Sequence, residues 1–522
     1  MKCTDVPVQK IDPSKPDTIP KFIDRLQIPE VAKPVDWIGK AAYYEIHMIQ
    51  AYHKFHSSFP FTRVWGYEGR YPGPTIETMK DKTIYVKWIN SLPYKHLLPI
   101  DHTLHGAIDT PDVRTVVHVH GANIEPHSDG YPEAWYTQNY SITGPSFTRK
   151  IYEYTNHQQS TTLWYHDHSM GITRLNVYAG LAGFYLIRDP QEKRLHLPGG
   201  IYEIPMMIQD KSFNADGSLF YPDTPPFPVP VKPSIVPGFL GNTIVVNGKV
   251  WPYLNVEPRK YRFRILNASN RRDYNLSLSN NSEFYQIGTD GGLLHHTAKI
   301  SSFILYPAER IDIVIDFSKF KGEEITLLNA NTDPNLSVVM RFKVTLPLKS
   351  KDTSEVPEEL YPFTHIDEEM ATNVRDLPLN VSTDHYGRPM LLLNNRMWSD
   401  PATEKPELDS IEIWNLINPV ANLSHPIHVH LVQFKILDRR PFDIQKYQTD
   451  GKIEYTGPAE APLPFEQGWK DVVRADGGKV TRIIMHFKDH AGDFVWHCHF
   501  LEHEDHDMMR PLKVIKDSFS IN

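Results

Sequence analysis

Along most of this chain, hydrophobic and polar positions alternate with a period of two over short stretches. In residues 83–89, Ile84, Val86 and Trp88 share one face, and in 311–317 the apolar Ile311, Ile313, Ile315 and Phe317 stand against Asp312 and Asp316. That is the pattern of strands with one buried and one wetter face. Residues 261–266, 338–346 and 481–487 repeat it, and 181–187 is an almost wholly apolar run. Apolar positions at helical spacing are few. The 43 prolines, against 28 glycines, interrupt helices and suit short strands joined by fixed turns. The predicted class is all-β.

A weak internal repeat sets the domain count. Aromatic-Pro or Trp-led openings at Tyr71, Trp251 and Trp398 each lead to a strand that ends at an asparagine, Asn90, Asn267 and Asn418, and each interval suits one β-sandwich. Three tandem sandwiches are expected over 1–188, 189–347 and 377–522, with a polar linker at 348–376. Seven prolines between Pro222 and Pro237 read as a stiff surface excursion of the second sandwich.

Composition removes several classes of function. The formal charge is −8 over 522 residues, so no global basic field exists to hold nucleic acid or anionic lipid. No stretch approaches the roughly 18 uninterrupted apolar residues of a membrane span. The first twenty residues lack the apolar core of an export signal, and the paired arginines, Arg271-Arg272 and Arg439-Arg440, are internal. Only Cys3 and Cys498 are present, so the fold must stand without a disulfide framework. Cys3 reads as a free thiol on a tail.

Histidine is abundant, at 26 residues, and four His-x-His pairs occur: His118/His120, His166/His168, His428/His430 and His497/His499. Independent placement gives about 1.3 such pairs. The last pair brackets Cys498 and is followed by His503 and Met508, while His425 precedes the third pair. A thiolate, two imidazoles and a thioether, from Cys498, His425, His503 and Met508, form the ligand set of a blue-copper electron-transfer site. In an extended strand Cys498 faces one way and His497 and His499 the other. The cysteine can therefore serve one copper while its neighbours serve a second cluster, and the odd offset separates His425 from His428 and His430 in the same manner.

The eight paired histidines are enough for three coppers with positions left open for oxygen. Half come from the first expected sandwich and half from the third, so that cluster must lie between them. The middle sandwich reads as structural and substrate-framing. Four one-electron metals suit the four-electron reduction of O₂ to water, with electrons collected singly at Cys498. Protons must follow, and Asp129 and Glu504 are candidates to relay them. As the alternatives, Asp129 opens an Asp-Gly turn, and Glu504 belongs to an acidic run with Glu502, Asp505 and Asp507 that reads as a solvated face.

These four motifs resemble those of the multicopper oxidases, in family order and with no ligand missing. Residues 129–135 (DGYPEAW), 247–254 (NGKVWPYL) and 502–511 (EHEDHDMMRP) resemble the Bacillus spore-coat laccases, also described as bilirubin oxidases. The resemblance runs from about residue 22 to 512. It implies three cupredoxin-like Greek-key domains and four copper ions: type 1 on His425, Cys498, His503 and Met508, type 2 on His118 and His428, and a type 3 pair on His120, His166, His168, His430, His497 and His499. It implies proton delivery by Asp129 and Glu504, a small aromatic electron donor with O₂ as acceptor, a monomer, and deposition on a spore coat after cytoplasmic synthesis. The axial Met508 implies a lower potential than in relatives with Leu or Phe there.

Two other functions fit the same residues. One is a cuprous or manganous ion oxidase, with Glu502, Glu504, Asp505 and Asp507 as its ion site. The other is a copper-binding coat or carrier protein without turnover. His53, His56, His102, His105, His295 and His296 read as surface or hydrogen-bonded histidines.

Overall fold

The computed structural model describes residues 11–362 and 365–516, so Cys3 and residues 363–364 of the expected linker lie outside the described residues. Residues 83–89 form the strand Ile84–Ser91, with Ile84, Val86, Trp88 and Asn90 buried. The other alternating stretches become Lys260–Asn267, Val338–Lys343 and Lys479–Phe487, and the apolar run becomes Ala182–Arg188. The longest α-helices among the described residues, Thr173–Ala179 and Ile444–Asp450, have seven residues each.

Six sheets fall in pairs along the chain, two within 36–188, two within 203–343 and two within 373–514. Each third repeats one parallel pairing: Ala41–His53 with Ile84–Ser91, Glu203–Phe213 with Lys260–Asn267, and Asn373–Thr383 with Ser410–Ile417. At the end of the second strand of each pair sits one of the repeat asparagines, buried. Asn90 Oδ1 accepts from Leu92 N, Asn267 Oδ1 from Ser269 N and Asn418 Oδ1 from Val420 N. Their amide nitrogens donate to the carbonyls of Tyr136, Leu305 and Ala475. An asparagine that closes its own turn and ties it to a distant backbone explains why one residue type recurs there. One apolar core runs through the first two thirds; another fills the last third and contains Cys498 and Met508.

Three expectations are corrected. Asp312 does not face water: it is buried with Ile311 and Ile313 in the strand Arg310–Asp316. On that face Arg262 of the neighbouring strand donates to both Asp312 oxygens, at 2.9 and 2.5 Å, and Arg264 donates to Thr162 Oγ1 of the first third. Buried charge is tolerated because every member is paired.

The proline-rich stretch is a surface excursion only in part: Pro226, Pro228 and Pro230 are exposed, but Ser234, Ile235 and Val236 are buried. Ile235 N donates to Asp101 Oδ2, and Arg388 reaches the same carboxylate and Ser234 Oγ, so first and last thirds clamp it. The expected linker is in part packed: Leu360 is buried and its N–H donates to His295 O. Among the described residues no helix is long and apolar enough to cross a membrane.

Candidate metal centre

Short strands aim the histidines. Val117–His120 runs antiparallel to Thr161–Asp167 with His118 opposite His166, and His425–Val429 runs antiparallel to Gly492–Cys498 with His428 opposite His497. The two pairs belong to opposite ends of the chain and meet face to face. His118 stacks on His430 at 3.8 Å between ring centroids, and His120 on His428 at 3.7 Å. All eight paired histidines are brought together, as the strand offsets predicted. Their nitrogens group as His118–His120–His428, His120–His166–His499 and His168–His430–His497, each within 4.8 Å of one another.

Hydrogen bonding fixes which nitrogen faces inward. His118 Nδ1 donates to Asp129 O, His428 Nδ1 to Asp471 O and His166 Nδ1 to Asp167 O, and the Nε2 of each is buried with no partner. His120 is reversed: Nε2 lies 3.0 Å from Asp471 Oδ1 and Nδ1 is the orphan. His497 Nε2 sits 3.3 Å from the Nε2 of both His168 and His430. Burial pushes the pKa values of His120, His166, His168, His428, His430 and His499 down, to about 3 for His430, so these six rings are neutral. Buried lone pairs converging without donors fit a set of metal cations.

A second group lies on the other side of the same strand. Cys498 Sγ is 3.6 Å from His425 Nδ1 and 3.7 Å from His503 Nδ1. Met508 is buried in the same core, and its carbonyl accepts Cys498 N at 3.0 Å. His503 is 5% exposed and donates from Nε2 to Pro237 O. Burial pushes the Cys498 thiol up, so a thiolate there needs a cation beside it. Soft sulfur with two imidazoles suits copper.

The two predicted acids are both at the histidine cluster. His430 Nδ1 donates to Asp129 Oδ2 at 2.7 Å, and His118 Nδ1 lies 3.3 Å from Oδ1. Burial opposes the Asp129 charge, but His430 and His118 outweigh it and hold the carboxyl below its usual range. Glu504 Oε2 is 3.1 Å from His497 Nδ1 and Oε1 is 3.7 Å from His168 Nε2. Neither oxygen makes a well-aligned hydrogen bond, although the side chain is buried.

The acidic run is neither a solvated face nor an open ion site. Glu502 accepts from Tyr221 Oη and Asn270, Asp505 from Thr173 N and Arg174, and Asp507 from Trp398 N, all buried. These carboxylates are spent on holding the Leu501–Glu504 turn against the rest of the fold. The other histidines behave as expected: His53 pairs with Gly248 O, His56 with Pro20 O and His295 with Tyr361 O.

Sequence reasoning missed Asp471 and Arg310. Asp471 touches two cluster histidines and is clamped by Arg310 of the middle third, whose strand Arg310–Asp316 thereby reaches the centre. No motif marks either residue. The one sequence signal is Gly121 after His120, where a Cβ would lie 2.3 Å from Asp471 Oδ2.

Sequence models described as "Multicopper oxidase" match residues 365–518 and, in two overlapping segments, 52–112 and 104–192. The chain is 53% identical to a laccase of Bacillus subtilis over 511 residues, covering 95% of this chain and 99% of the relative. It is 40% identical to a laccase of Haloferax volcanii, covering 95% and 86%. Among solved structures it matches a laccase from Pediococcus acidilactici with a TM-score of 0.76 at 27% identity, covering 95% and 94%. McoA of Aquifex aeolicus matches with a TM-score of 0.73 at 26% identity, covering 94% and 99%. The converging imidazoles, the buried thiol beside two more and these likenesses place the chain in the multicopper oxidase family.

Proposed function

We propose that this chain is a laccase, oxidising small aromatic donors one electron at a time and reducing O₂ to water. The observation that carries the reading is the division at one strand end: Cys498 faces His425 and His503, while its neighbours His497 and His499 face the histidine cluster. We assign a type 1 copper to His425, Cys498, His503 and Met508, type 2 to His118 and His428, and the type 3 pair to His120, His166, His168, His430, His497 and His499. Four coppers then form the complement, within domains bounded near 188, 347 and 377.

Bound copper supplies one-electron redox chemistry at the thiolate and an electron-rich cluster for O₂. The residues do the rest. His503 is the ligand nearest the surface and offers its edge to the donor. Cys498 is one peptide bond from His497 and one from His499, so a single stretch of backbone links the two groups. Asp129 orients His430 and His118, and the buried Glu504 carboxyl stands beside His497 and His168, where it can relay protons. A monomer deposited on a spore coat completes the proposal.

Neither alternative gains support. Three of the four acids needed for a metal-ion donor, Glu502, Asp505 and Asp507, are already bonded within the fold, Glu504 faces the histidine cluster instead, and a carrier has no use for a thiolate wired to a cluster. Copper analysis, visible and spin-resonance spectra and O₂ uptake with a phenol test the reading together. Four coppers per chain, a strong blue band and two Cu(II) signals are expected; one copper and no uptake would overturn it.

A further inference from the structure

Of the two arginine pairs in the sequence, one stands beside the thiolate group. Arg272 is committed, donating to Asp210 Oδ2 at 2.8 Å and Gly241 O at 2.7 Å. Asn270 is fixed on the other side, donating to Glu502 Oε1 and accepting Leu501 N, each at 3.0 Å. Arg271 is thus held between two tethered residues, yet among the described residues its own guanidinium has no ion pair and no hydrogen bond.

Its guanidinium carbon lies 5.4 Å from the Phe500 ring centroid, and Phe500 packs on His503 at 5.2 Å and His425 at 6.2 Å. The Arg271 side chain also crosses Gly238 so closely that a Cβ there would be 2.2 Å from Arg271 Cδ. Gly238 follows Pro237, whose carbonyl receives His503 Nε2. It precedes Phe239, partly exposed, and Leu240, half exposed. A half-buried cation and an apolar shelf therefore flank the one ligand of the thiolate group that approaches solvent.

We propose that Arg271 is an anion-receiving residue of the donor site, selecting aromatic donors that carry a carboxylate while their ring rests on 237–240 over His503. A guanidinium left without an acid in a partly desolvated position has its binding capacity unspent, and a planar carboxylate matches its fork. The inference deepens the laccase reading and rests on it.

The test compares a carboxylate-bearing phenol with its methyl ester on the copper-loaded enzyme, in wild type, Arg271→Lys, Arg271→Gln and Arg271→Glu. The ratio of kcat/KM for acid over ester falls about three- to tenfold in Arg271→Gln, chiefly through KM, as expected for a half-exposed charge pair. It falls further in Arg271→Glu and is partly restored by Arg271→Lys, which keeps the charge and loses the fork. Calorimetric binding of benzoate, which is not oxidised, weakens in the same order. A ratio and a benzoate affinity unmoved by Arg271→Gln would overturn the proposal. Oxidation of neither donor would count against the laccase reading instead, with the benzoate titration still deciding the role of Arg271.

Discussion

Arg310 grips Asp471 with both terminal nitrogens, Nη1 to Oδ1 at 2.6 Å and Nη2 to Oδ2 at 2.5 Å, across 161 positions of sequence. The carboxylate so held turns to His120 Nε2, and its backbone carbonyl takes His428 Nδ1. One residue therefore sets the tautomers of two rings, in opposite senses. Asp471→Asn is expected to lower copper affinity at the histidine cluster by about 10- to 100-fold while the blue band of Cys498 persists. Copper content and absorption measured on the same sample check it. Arg310→Met strands a buried charge and should cost about 3–5 kcal/mol in denaturant unfolding.

Glu504 is buried against His497 and His168 with no aligned donor. Glu504→Gln keeps the shape and removes the exchangeable carboxyl proton. Turnover should fall about a hundredfold, in the range of a lost acid–base group, with copper content and blue colour retained. Steady-state O₂ uptake at saturating donor reads this directly, and unaltered turnover would remove Glu504 from the proton path.

Gly121 has φ +86°, and a Cβ on it would meet Asp471 Oδ2 at 2.3 Å and Arg310 Nη2 at 2.8 Å. Gly121→Ala strains the backbone and pushes the clamp away from His120. A loss of about 1–3 kcal/mol in unfolding free energy is expected, with cluster copper reduced before the Cys498 site is affected. Chemical denaturation of the copper-free and loaded protein separates the two effects.

His96 lies apart from the metal centre, bonded to Asn176 Oδ1 and packed on Trp65. Burial pushes its pKa down to about 4 from an ordinary value of 6.5, and His53 is lowered to about 4 by the same cause. The folded state thus keeps both rings neutral where the unfolded chain protonates them. Their contribution to stability is present above pH 6.5 and is lost as pH falls through 4, on the order of 3 kcal/mol for the fully buried ring. His96→Gln should flatten the fall of unfolding free energy between pH 6.5 and 4; an equal slope would show that another group governs it.

The strands and the histidine partition were legible because both follow from a period of two, a local property of neighbouring residues. The same holds for Cys498 against His497 and His499. The partner of His120 was not legible, since Asp471 and Arg310 carry no spacing signal and meet only through tertiary packing. The acidic run misled for the same reason: Glu502, Asp505 and Asp507 read as solvated until Tyr221, Arg174 and Trp398 are seen beside them. Asp312 reversed its predicted face because Arg262 covers it. Sequence periodicity reports which way a side chain points and leaves open what waits there.

The stacking of His118 on His430 and of His120 on His428 joins the two ends of the polypeptide. During synthesis the ribosome releases half of these rings early and the other half only after the whole middle third. No chain that stops short of His499 can close the cluster, so complete copper loading must wait until the last third has been made and has folded against the first.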